Sequence, residues 1–339
     1  MISALDLDET ALAQRLISVG EPAYRARQIR THLFRRAVLD YENMTDLPAR
    51  VREHLSSELP AMPLTVQQRL PTPDGETVKM LLRAHDAELI EAVSIRDGAR
   101  HTVCVSSQVG CAMACAFCAS GLNGVSRNLT SGEIVAQVLY AAVYATVTNI
   151  VFMGMGEPLS NFPRLIESIN VLTDPSGIAM SARRLTVSTV GLVPRIHDLA
   201  ATGIPVGLAI SLHGPDDATR GRLVPAARLY SIAELLKAAD NYSAATGRRV
   251  TFEYTLIAGE NADPKHAKAL GLLLAGTGSQ VNLIPYNPVR GLSFTEPAPD
   301  VVRLFAAIVS SHGVTVTTRK EKGRKVTAAC GQLRRTTGV

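Results

Sequence analysis

The sequence contains no apolar run long enough to cross a bilayer. Its most apolar stretches are short or are interrupted by proline, glycine or charged residues, whereas a membrane-spanning helix needs about 20 consecutive apolar residues. The N-terminus is partly acidic and has neither the cationic start nor the apolar stretch of a secretory signal. These absences predict a soluble cytoplasmic protein without a membrane partner.

Cysteine is also scarce. The 339 residues include five cysteines, an odd number that is too small for a disulfide framework in a chain of this length. Three of the five lie between positions 111 and 118, and clustered thiols are typical of a reducing compartment. The sequence also has no internal repeat and no low-complexity tract, which excludes a repeat array.

The chain does contain a large apolar fraction and a mild excess of positive charge. Hydrophobic residues make up 46% of it, enough for one large domain with a smaller appendage. Charged residues make up 19%, the net charge is +5, and the pI is near 9.0. A basic balance favours a polyanionic partner, although it is also common in proteins with no nucleic-acid partner.

Two patterns of secondary structure follow each other along the chain. Residues 1 to about 60 are predicted to form short helices, and three short strands are predicted at 64–70, 77–83 and 88–95. From about residue 101 strands and helices alternate, which predicts βαβ units and a parallel sheet, either open and doubly wound or closed toward a barrel. The strands are predicted at 102–106, 148–153, 184–190, 205–211, 249–257, 280–284 and 314–319, and the main helices at 131–145, 161–173, 230–244, 264–275 and 298–312.

One predicted N-terminal helix carries a run of arginines. From Tyr24 to Arg36, an apolar side is opposed by a side without any balancing acid, formed by Arg25, Arg27, Arg30, Arg35 and Arg36. Such a run is either a phosphate-contacting surface or a solvated polar face.

Three of the cysteines form the most informative motif. Cys111, Cys115 and Cys118 lie in Gly-Cys-Ala-Met-Ala-Cys-Ala-Phe-Cys, separated by three and then two residues. Thiolates this close together suit an iron–sulfur cluster or zinc, and buried structural thiols are a third possibility. A structural zinc site needs a fourth ligand, and no His or Cys follows closely behind Cys118. The spacing therefore favours an iron–sulfur cluster with one iron left open.

A glycine-rich turn follows the next predicted strand. Strand 148–153 leads directly into Gly154-Met-Gly-Glu-Pro158, and glycines at the end of a strand allow a ligand to approach the backbone closely. Other polar residues end predicted strands at the same edge of the sheet. They are Ser188, Ser211 with Leu212 and His213, and Asn287.

Together these motifs resemble the radical S-adenosylmethionine (SAM) methyltransferases of the RlmN and Cfr type. The resemblance extends over nearly the whole chain, in order and with compatible spacing. The matching stretches include Gly20-Glu-Pro-Ala-Tyr-Arg-Ala-Arg-Gln-Ile29, Met44-Thr-Asp-Leu-Pro48, Cys104-Val-Ser-Ser-Gln-Val-Gly-Cys111, Arg127-Asn-Leu-Thr-Ser-Gly-Glu-Ile134, Phe152-Met-Gly-Met-Gly-Glu-Pro158, Ala209-Ile-Ser-Leu-His213, Val281-Asn-Leu-Ile-Pro-Tyr-Asn-Pro288 and Ala328-Ala-Cys-Gly-Gln-Leu333.

The resemblance implies a fold and a set of domains. It implies an α/β fold with a partial (βα)6 barrel, similar to a TIM barrel, as the radical-SAM core, and a small N-terminal helical domain. We expect a helical RNA-binding accessory domain over 1–60, a β-rich extension over 61–97, the core over 98–322 and a C-terminal segment with a catalytic cysteine over 323–339. It also implies a monomer.

The resemblance further implies the cofactors and their ligands. A [4Fe-4S] cluster is expected on Cys111, Cys115 and Cys118, with SAM bound to its open iron. The SAM-binding residues are expected to be Gly156, Glu157, Ser188, Ser211, Leu212, His213 and Asn287. His213 is expected to line the SAM site rather than to bind a metal. An electron donor such as a reductase or a flavodoxin-type protein is implied as a partner.

Three further residues are given chemical roles by the resemblance. Cys330 accepts a methyl group from one SAM and carries it to the adenine as an S-methylcysteine. Cys104 releases the protein–RNA adduct by forming a disulfide with Cys330. Glu91 matches the position of a proton acceptor, although an exposed strand glutamate is the alternative and Cys104 is a second candidate for that proton. The alternative for Cys330 is a buried apolar thiol, but Gly331, Gln332 and the preceding basic residues favour a mobile exposed segment.

The expected substrate is an adenosine of 23S ribosomal RNA, with transfer RNA as a second substrate. Carbon 2 is the first choice because Gly156-Glu157-Pro158 is more similar to RlmN than to Cfr. Methylation of carbon 8 with antibiotic resistance, radical-SAM methylation of another substrate, and a non-catalytic RNA-binding or iron–sulfur sensor protein stay as alternatives. The basic stretch 319–325 departs from the family pattern and is either an RNA contact or a solvated loop.

Overall fold

The computed structural model describes residues 2–319, 323 and 326–333, and it contains ten α-helices and twelve strands within them. The helices are α1 (Glu9–Ile17), α2 (Tyr24–Arg35), α3 (Ala49–Glu58), α4 (Ser131–Ala142), α5 (Phe162–Thr173), α6 (Val193–Ala201), α7 (Asp217–Leu223), α8 (Ile232–Thr246), α9 (Pro264–Leu274) and α10 (Pro299–Ser310). The strands are β1 (Leu64–Pro71), β2 (Thr77–Ala84), β3 (Leu89–Asp97), β4 (Arg100–Cys104), β5 (Gln108–Gly110), β6 (Val125–Asn128), β7 (Asn149–Phe152), β8 (Leu185–Thr189), β9 (Gly207–Ser211), β10 (Thr251–Leu256), β11 (Gln280–Pro285) and β12 (Thr315–Thr318).

Ten of these strands form one sheet, in the order β1-β2-β3-β4-β7-β8-β9-β10-β11-β12. From β1 to β4 neighbouring strands are antiparallel, because tight turns join them. From β4 to β12 they are parallel, because a helix follows each strand and returns the chain to the same edge. Six βα units are thus followed by β12, and within the described residues no pairing joins β12 to β1. The predicted α/β fold with a partial barrel is confirmed.

Apolar periodicity explains how the helices pack. In α4, nearly every side chain is buried, since this helix is enclosed between the sheet and the N-terminal helices. Its start is fixed as predicted, because Thr130 and Glu133 cap each other's backbone N–H groups. The short helices α6 and α7 and the two-stranded hairpin β5–β6 were not predicted, since each has too few residues to show a period.

The N-terminal residues form three helices whose apolar sides are buried, with Leu12, Leu16, Ile29 and Leu33 fully inaccessible. The acids that balance the arginine run of α2 come from elsewhere in the chain. Arg25 pairs with Glu21 at 2.8 Å, and the buried Arg30 reaches Asp174 on the core at 3.2 Å. The exposed members of the run are Arg27, Arg35 and Arg36. The run is therefore partly a set of tertiary ion pairs and partly a free cationic surface.

Among residues 2–319, 323 and 326–333, no helix combines the length and the apolarity needed to cross a membrane.

Arg127 joins three separate elements beside the cysteine loop. From β6 it donates to the Asp86 carboxylate in the β2–β3 turn, at 2.5 Å. It also binds both oxygens of Glu133 at 2.8 Å. The Glu133 side chain is 1% exposed, and Arg127 is the cation that pairs with its buried carboxylate. The hydrogen bond from Arg127 lowers the pKa of Asp86 to about 2.

We expect Arg127→Met to lower the free energy of unfolding by about 3 kcal/mol, because the buried Glu133 carboxylate loses its cation. Arg164→Met, which removes an arginine paired only with the half-exposed Glu167, should cost less than about 1 kcal/mol. Urea titration of both variants measures the difference. Equal effects would contradict the bridging role.

The same bridge should make stability depend on pH. The folded-state pKa of Asp86 lies below its ordinary value of 3.8, so its stabilising contribution is present above pH 4 and is lost as the pH falls toward 2. Asp86→Asn should therefore destabilise the protein at pH 6 and show a smaller loss of stability between pH 4 and pH 2 than the wild type. Urea midpoints at these pH values test this sign, and parallel curves for the two proteins would refute it.

Candidate active site

A cavity opens at the carboxyl ends of the parallel strands, with about 910 Å3 of space when its open mouth is included. This is where ligands bind in parallel α/β sheets, because the loops that follow the strands converge there. It brings together most of the residues predicted from the sequence. Those that line it are Cys111, Cys115, Cys118, Gly156, Glu157, Ser188, Ser211, His213, Asn287 and Cys330.

The three clustered thiols lie on the loop between β5 and β6, on one side of this cavity. The amide of Cys111 donates to the carbonyl of Gly124 at 3.0 Å, which closes the β5–β6 hairpin, and the amide of Ala116 donates to the carbonyl of Leu223 at 2.9 Å. Burial raises the pKa of each thiol, and that of Cys111 reaches about 12. Thiolates here therefore need a cation to stabilise them, and a metal centre supplies one.

These donors fit a polynuclear cluster. In the described part of the chain, no three His, Cys, Asp or Glu side chains converge closely enough to hold a single metal ion. An iron–sulfur cluster binds its thiolates on separate irons, so its ligands are spread around it. The cavity beside the thiols provides the space for a ligand of an open iron.

The glycine-rich turn after β7 is packed directly against the backbone of neighbouring loops. A Cβ on Gly154 would lie 2.7 Å from the Ser106 hydroxyl, and one on Gly156 would lie 2.6 Å from the Cβ of Gln108. Gly156 also has a φ of +103°, which side chains rarely adopt. Glycine is thus required at both positions, and the turn presents its backbone to the cavity.

Glu157 uses its carboxylate to hold two loops together. One oxygen accepts from the amide of Leu159 at 3.1 Å, and the other from the amide of Val190 after β8 at 2.8 Å. The side chain is buried, and burial raises its pKa to about 7. The amide of Glu157 is in turn held by the side chain of Gln108 at 2.8 Å. The carboxylate therefore holds the turn after β7 against the loop after β8.

His213 lines the cavity in a single neutral form. Its Nδ1 accepts from the amide of Thr255 at 2.9 Å, so the ring proton is on Nε2. Burial lowers its pKa to about 3, and the ring packs edge-to-face against Phe117 with centroids 4.8 Å apart. Because one ring nitrogen is already bonded to the backbone, this residue forms part of the cavity wall.

Leu212 does not line the cavity with its side chain. The side chain is fully buried in the core, and the amide of Leu212 donates to the carbonyl of Glu253 on β10 at 2.9 Å. Any contact of Leu212 with a ligand would therefore involve the backbone.

The segment that carries Cys330 is packed onto the cavity mouth, so the expectation of a mobile exposed segment is wrong. Ala328, Ala329, Gln332 and Leu333 are all buried. The amide of Ala119, next to the third clustered cysteine, donates to the carbonyl of Gly331 at 2.7 Å. Three side chains add hydrogen bonds to backbone carbonyls. Ser120 donates to the carbonyl of Leu333 at 2.7 Å, Asn287 to that of Cys330 at 3.3 Å, and Gln332 to that of Pro288 at 2.9 Å. These hydrogen bonds hold the segment against the cavity mouth. The local sequence, with Gly331 and Gln332, gave no sign of them because the partners lie elsewhere in the chain.

Cys104 ends β4 beneath the cavity and is not part of its lining. Burial raises the pKa of its thiol to about 12, and the charge of Arg319 acts in the opposite direction. Cys104 and Cys330 interact electrostatically, and all five cysteines are free thiols. Arg319 itself lines the cavity and belongs to its wall, whereas residues 320–322, 324 and 325 of the predicted basic stretch lie outside the described residues.

Glu91 is not an exposed strand residue, so that alternative is wrong. It is buried on β3, and its Oε1 lies 2.9 Å from the Nζ of Lys79 on β2. It does not line the cavity, but it lies on the same strand and the same face as Val93, which pairs with Cys104.

Two charged residues near the cavity were not anticipated. Arg220 on α7 is 1% exposed and donates to the carbonyl of Val190 at 2.6 Å. Glu253 on β10 lines the cavity, and its carboxylate accepts from the amide group of Asn282 at 2.8 Å. A charged residue within an otherwise apolar strand, as in Thr-Phe-Glu-Tyr-Thr, was the available signal for Glu253.

Comparisons with known proteins agree with this geometry. The family model described as the radical SAM superfamily matches residues 105–270, and the model described as the ribosomal RNA large subunit methyltransferase N-terminal domain matches residues 2–59. A probable dual-specificity RNA methyltransferase RlmN from Rhodopirellula baltica is 47% identical, over 94% of this chain and 87% of the relative. A second one, from Thermobifida fusca, is 46% identical, over 97% of this chain and 93% of the relative. The crystal structure of a radical SAM methyltransferase from Sphaerobacter thermophilus superposes with a TM-score of 0.96 and 45% identity, covering 99% of this chain and 100% of that one.

The packing of the glycine-rich turn gives a prediction. We expect Gly156→Ala to destabilise the protein more than Gly203→Ala. Both glycines have positive φ, with a cost of about 1–2 kcal/mol for alanine, but only the Gly156 methyl meets other atoms within 4 Å. The clash adds about 1–3 kcal/mol. Calorimetric unfolding of the two variants compares them, and similar melting temperatures would contradict the close approach.

Proposed function

The chain belongs to the RlmN family of radical-SAM methyltransferases, and we propose that it methylates carbon 2 of an adenosine in 23S ribosomal RNA, with transfer RNA as a second substrate. One observation carries this proposal beyond family membership. The segment that bears Cys330 is hydrogen-bonded to the residue after Cys118, so a candidate methyl-carrying thiol and the three candidate cluster thiols line the same cavity. A sensor or a structural iron–sulfur protein has no need of that fourth thiol.

Cys111, Cys115 and Cys118 would hold a [4Fe-4S] cluster, and the cavity beside them would hold SAM. The backbone from Gly154 to Gly156 would face the amino acid end of SAM. Hydroxyl and amide groups from three other strand ends are available for its remaining polar groups, namely those of Ser188, Ser211 and Asn287. Together, the cluster and SAM supply a transferable methyl group and the one-electron chemistry that activates a C–H bond.

The protein's own thiols would carry the carbon between SAM and RNA. Carbon 2 of adenine is not nucleophilic, so the carbon must be placed on the protein first. Cys330 would accept the methyl group on its sulfur and then, after loss of a hydrogen atom, bond that carbon to the ring. Cys104 would attack the Cys330 sulfur, which forms a disulfide and breaks the bond between that sulfur and the transferred carbon. The released carbon would take up a proton to become the methyl group of the base, and the one electron left over from the radical would pass to the cluster. The positive charge of Arg319 acts on the pKa of the Cys104 thiol against the effect of burial, and would favour the thiolate that the attack by Cys104 requires.

Glu91 would remove the ring proton from carbon 2. The carboxylate is buried and lies 2.9 Å from the ammonium of Lys79, and a positioned carboxylate is a suitable general base. Cys104 is the second candidate for this role, but burial raises the pKa of its thiol, which makes it the poorer acceptor at neutral pH. Glu91 does not line the cavity of the free protein. In this assignment, the adenine must enter and approach Glu91 before the proton is removed.

The N-terminal helices would contribute to RNA binding. Arg27 on α2 and Arg36 directly after α2 are exposed, and Arg27 has a loose ion pair with Glu9 at 3.4 Å. Their guanidinium groups are therefore available to phosphates, whereas the buried Arg30 holds the helical unit to the core. The domain boundaries at 60, 97 and 322 stay part of this proposal.

The first test is turnover with RNA. The reconstituted protein is incubated without oxygen with SAM, a reductant and unmodified ribosomal or transfer RNA, and digested nucleosides are identified by mass spectrometry. We expect 2-methyladenosine from the wild type and none from Cys330→Ala, because the carrier thiol is missing. Formation of 8-methyladenosine would assign the Cfr-type reaction. SAM cleavage without any methylated adenosine would refute the RNA assignment for those substrates.

A second test addresses the RNA surface. We expect Arg27→Gln combined with Arg36→Gln to weaken RNA binding for all sequences and to reduce the slope of log K against log salt by about 1 for each phosphate that is no longer bound. Arg164→Gln combined with Arg195→Gln, on the exposed faces of α5 and α6, is the matched control. Equal slopes for the two double variants would remove α2 from the interface.

A further inference from the structure

Lys79 is a buried cation that the proposed chemistry leaves without a role of its own. Its side chain is 9% exposed, which is rare for lysine unless the charge has partners. Two partners are present within hydrogen-bonding distance. The Nζ lies 2.9 Å from the Glu91 carboxylate and donates to the Thr327 hydroxyl at 2.8 Å.

These two partners come from distant parts of the chain. Glu91 lies on β3, directly beside β2 in the sheet, whereas Thr327 is 248 residues from Lys79 and three residues before Cys330. Because three residues span at most about 11 Å, whatever holds Thr327 also restricts where the Cys330 thiol can lie. One ammonium group therefore contacts both the candidate base and the segment that carries the candidate methyl acceptor.

The register of the strands places Lys79 in the same row of the sheet as the other reactive thiol, with one residue between them. Lys79 pairs with Val93, and Val93 pairs with Cys104, so the three residues form one row on the same face of the sheet. A Cβ on Gly323 would lie 3.0 Å from the Thr77 side chain, which shows that the C-terminal segment packs on this face. Lys79 thus lies on the same face of the sheet as Glu91 and Cys104, one strand away from the first and two strands away from the second.

We propose that Lys79 is a positioning residue that binds Glu91 and Thr327 together, and so aligns the proton acceptor with the Cys330 segment. Lysine suits this role because its ammonium carries three donors on one atom, and two of them are directed to these partners. The inference rests on the proposed function, since it assigns Lys79 a role in that reaction. It predicts that the two contacts can be separated experimentally.

Three variants separate the contacts. Lys79→Met removes both, Thr327→Val removes the segment contact while keeping the shape of the side chain, and Lys79→Arg keeps the charge and the donors. Thr327 has a φ of +50°, and valine retains the β-branching, so the backbone strain is matched in the comparison with Thr327→Val. The variant Glu91→Gln removes the proton acceptor and the charge of its ion pair, but keeps a side-chain oxygen that can accept from Lys79, and it leaves the contact with Thr327 in place.

The first readout needs neither SAM nor RNA. The rate at which iodoacetamide alkylates Cys330 is measured by peptide mass spectrometry on the purified protein. We expect Lys79→Met and Thr327→Val to raise this rate by about tenfold, which is the effect of losing one hydrogen bond to a charged group. Lys79→Arg should keep the rate close to that of the wild type. Glu91→Gln should leave it within about threefold of the wild type. Rates in Lys79→Met equal to the wild type would overturn the proposal.

The second readout follows the reaction in two stages. Methyl loading of Cys330 is measured with SAM alone, and methyl transfer is then measured in a single turnover with RNA. We expect Thr327→Val to slow both stages, Glu91→Gln to slow transfer only, and Lys79→Met to slow transfer more than either. In the double variant Lys79→Met/Glu91→Gln, the second substitution should add less than about threefold, because the two groups act as a pair.

Controls distinguish this proposal from loss of folding and from failure of the proposed function. Iron content and melting temperature are measured for every variant. If activity falls only in proportion to these, and arginine is no better than methionine at position 79, Lys79 is merely structural. If the wild type loads a methyl group but modifies no RNA, the proposed function fails, while the alkylation rates still decide whether Lys79 holds the Cys330 segment.

Discussion

The parallel arrangement of β4 and β7 to β12 is the constraint on which the candidate site depends. Each of these strands ends at the same edge of the sheet, so the loops that follow them must meet there. The turn at Gly156, the serines at 188 and 211, His213 and Asn287 follow different strands, yet they line one cavity. Changing the direction of any one strand would remove its residues from the site.

Convergence alone does not fix the loops, because loop backbone that is buried must find hydrogen-bond partners. Side chains provide many of them here. The Glu157 carboxylate binds the amide of Val190, His213 binds that of Thr255, and Asn261 binds the carbonyl of His213 at 2.8 Å. Removing one of these groups would leave a buried polar atom unpaired, which costs more than the hydrogen bond itself gains. Polar side chains thus give the cavity its rigid shape.

The antiparallel strands β2 and β3 and the C-terminal segment add a second layer of chemistry to this scaffold. They bring Lys79, Glu91 and Cys330 close to a barrel that already holds three clustered thiols. The ion pair is buried, and a buried pair is a weak source of stability because desolvation offsets much of the attraction. The ion pair instead favours one position of the C-terminal segment, because the same ammonium also binds Thr327. This agrees with the role proposed for Lys79.

The sequence by itself determined the order of the elements, the family and the cysteine motif. The ten strands of the large sheet and the helices α4, α5, α8, α9 and α10 were predictable because each is long enough to show its period and has capping or turn residues at its ends. The cysteine triplet and the Gly154–Pro158 turn were recognisable because their ligands or backbone contacts are local in sequence. The periods of the strands and helices, the cysteine triplet and the glycine-rich turn are all defined by the spacing of residues along the chain, so they can be read from the sequence.

Only the tertiary structure decided the environment of the reactive groups. It placed Glu91 in a buried ion pair with Lys79, fixed the Cys330 segment against Ala119 and Asn287, and made Arg319 part of the cavity wall. Lys79 lies twelve residues before Glu91, and the partners of the Cys330 segment lie much farther away along the chain, so no local pattern records these contacts. Burial and distant hydrogen bonds set the charge and the mobility of a side chain, so these properties became visible only once the strands had been brought together.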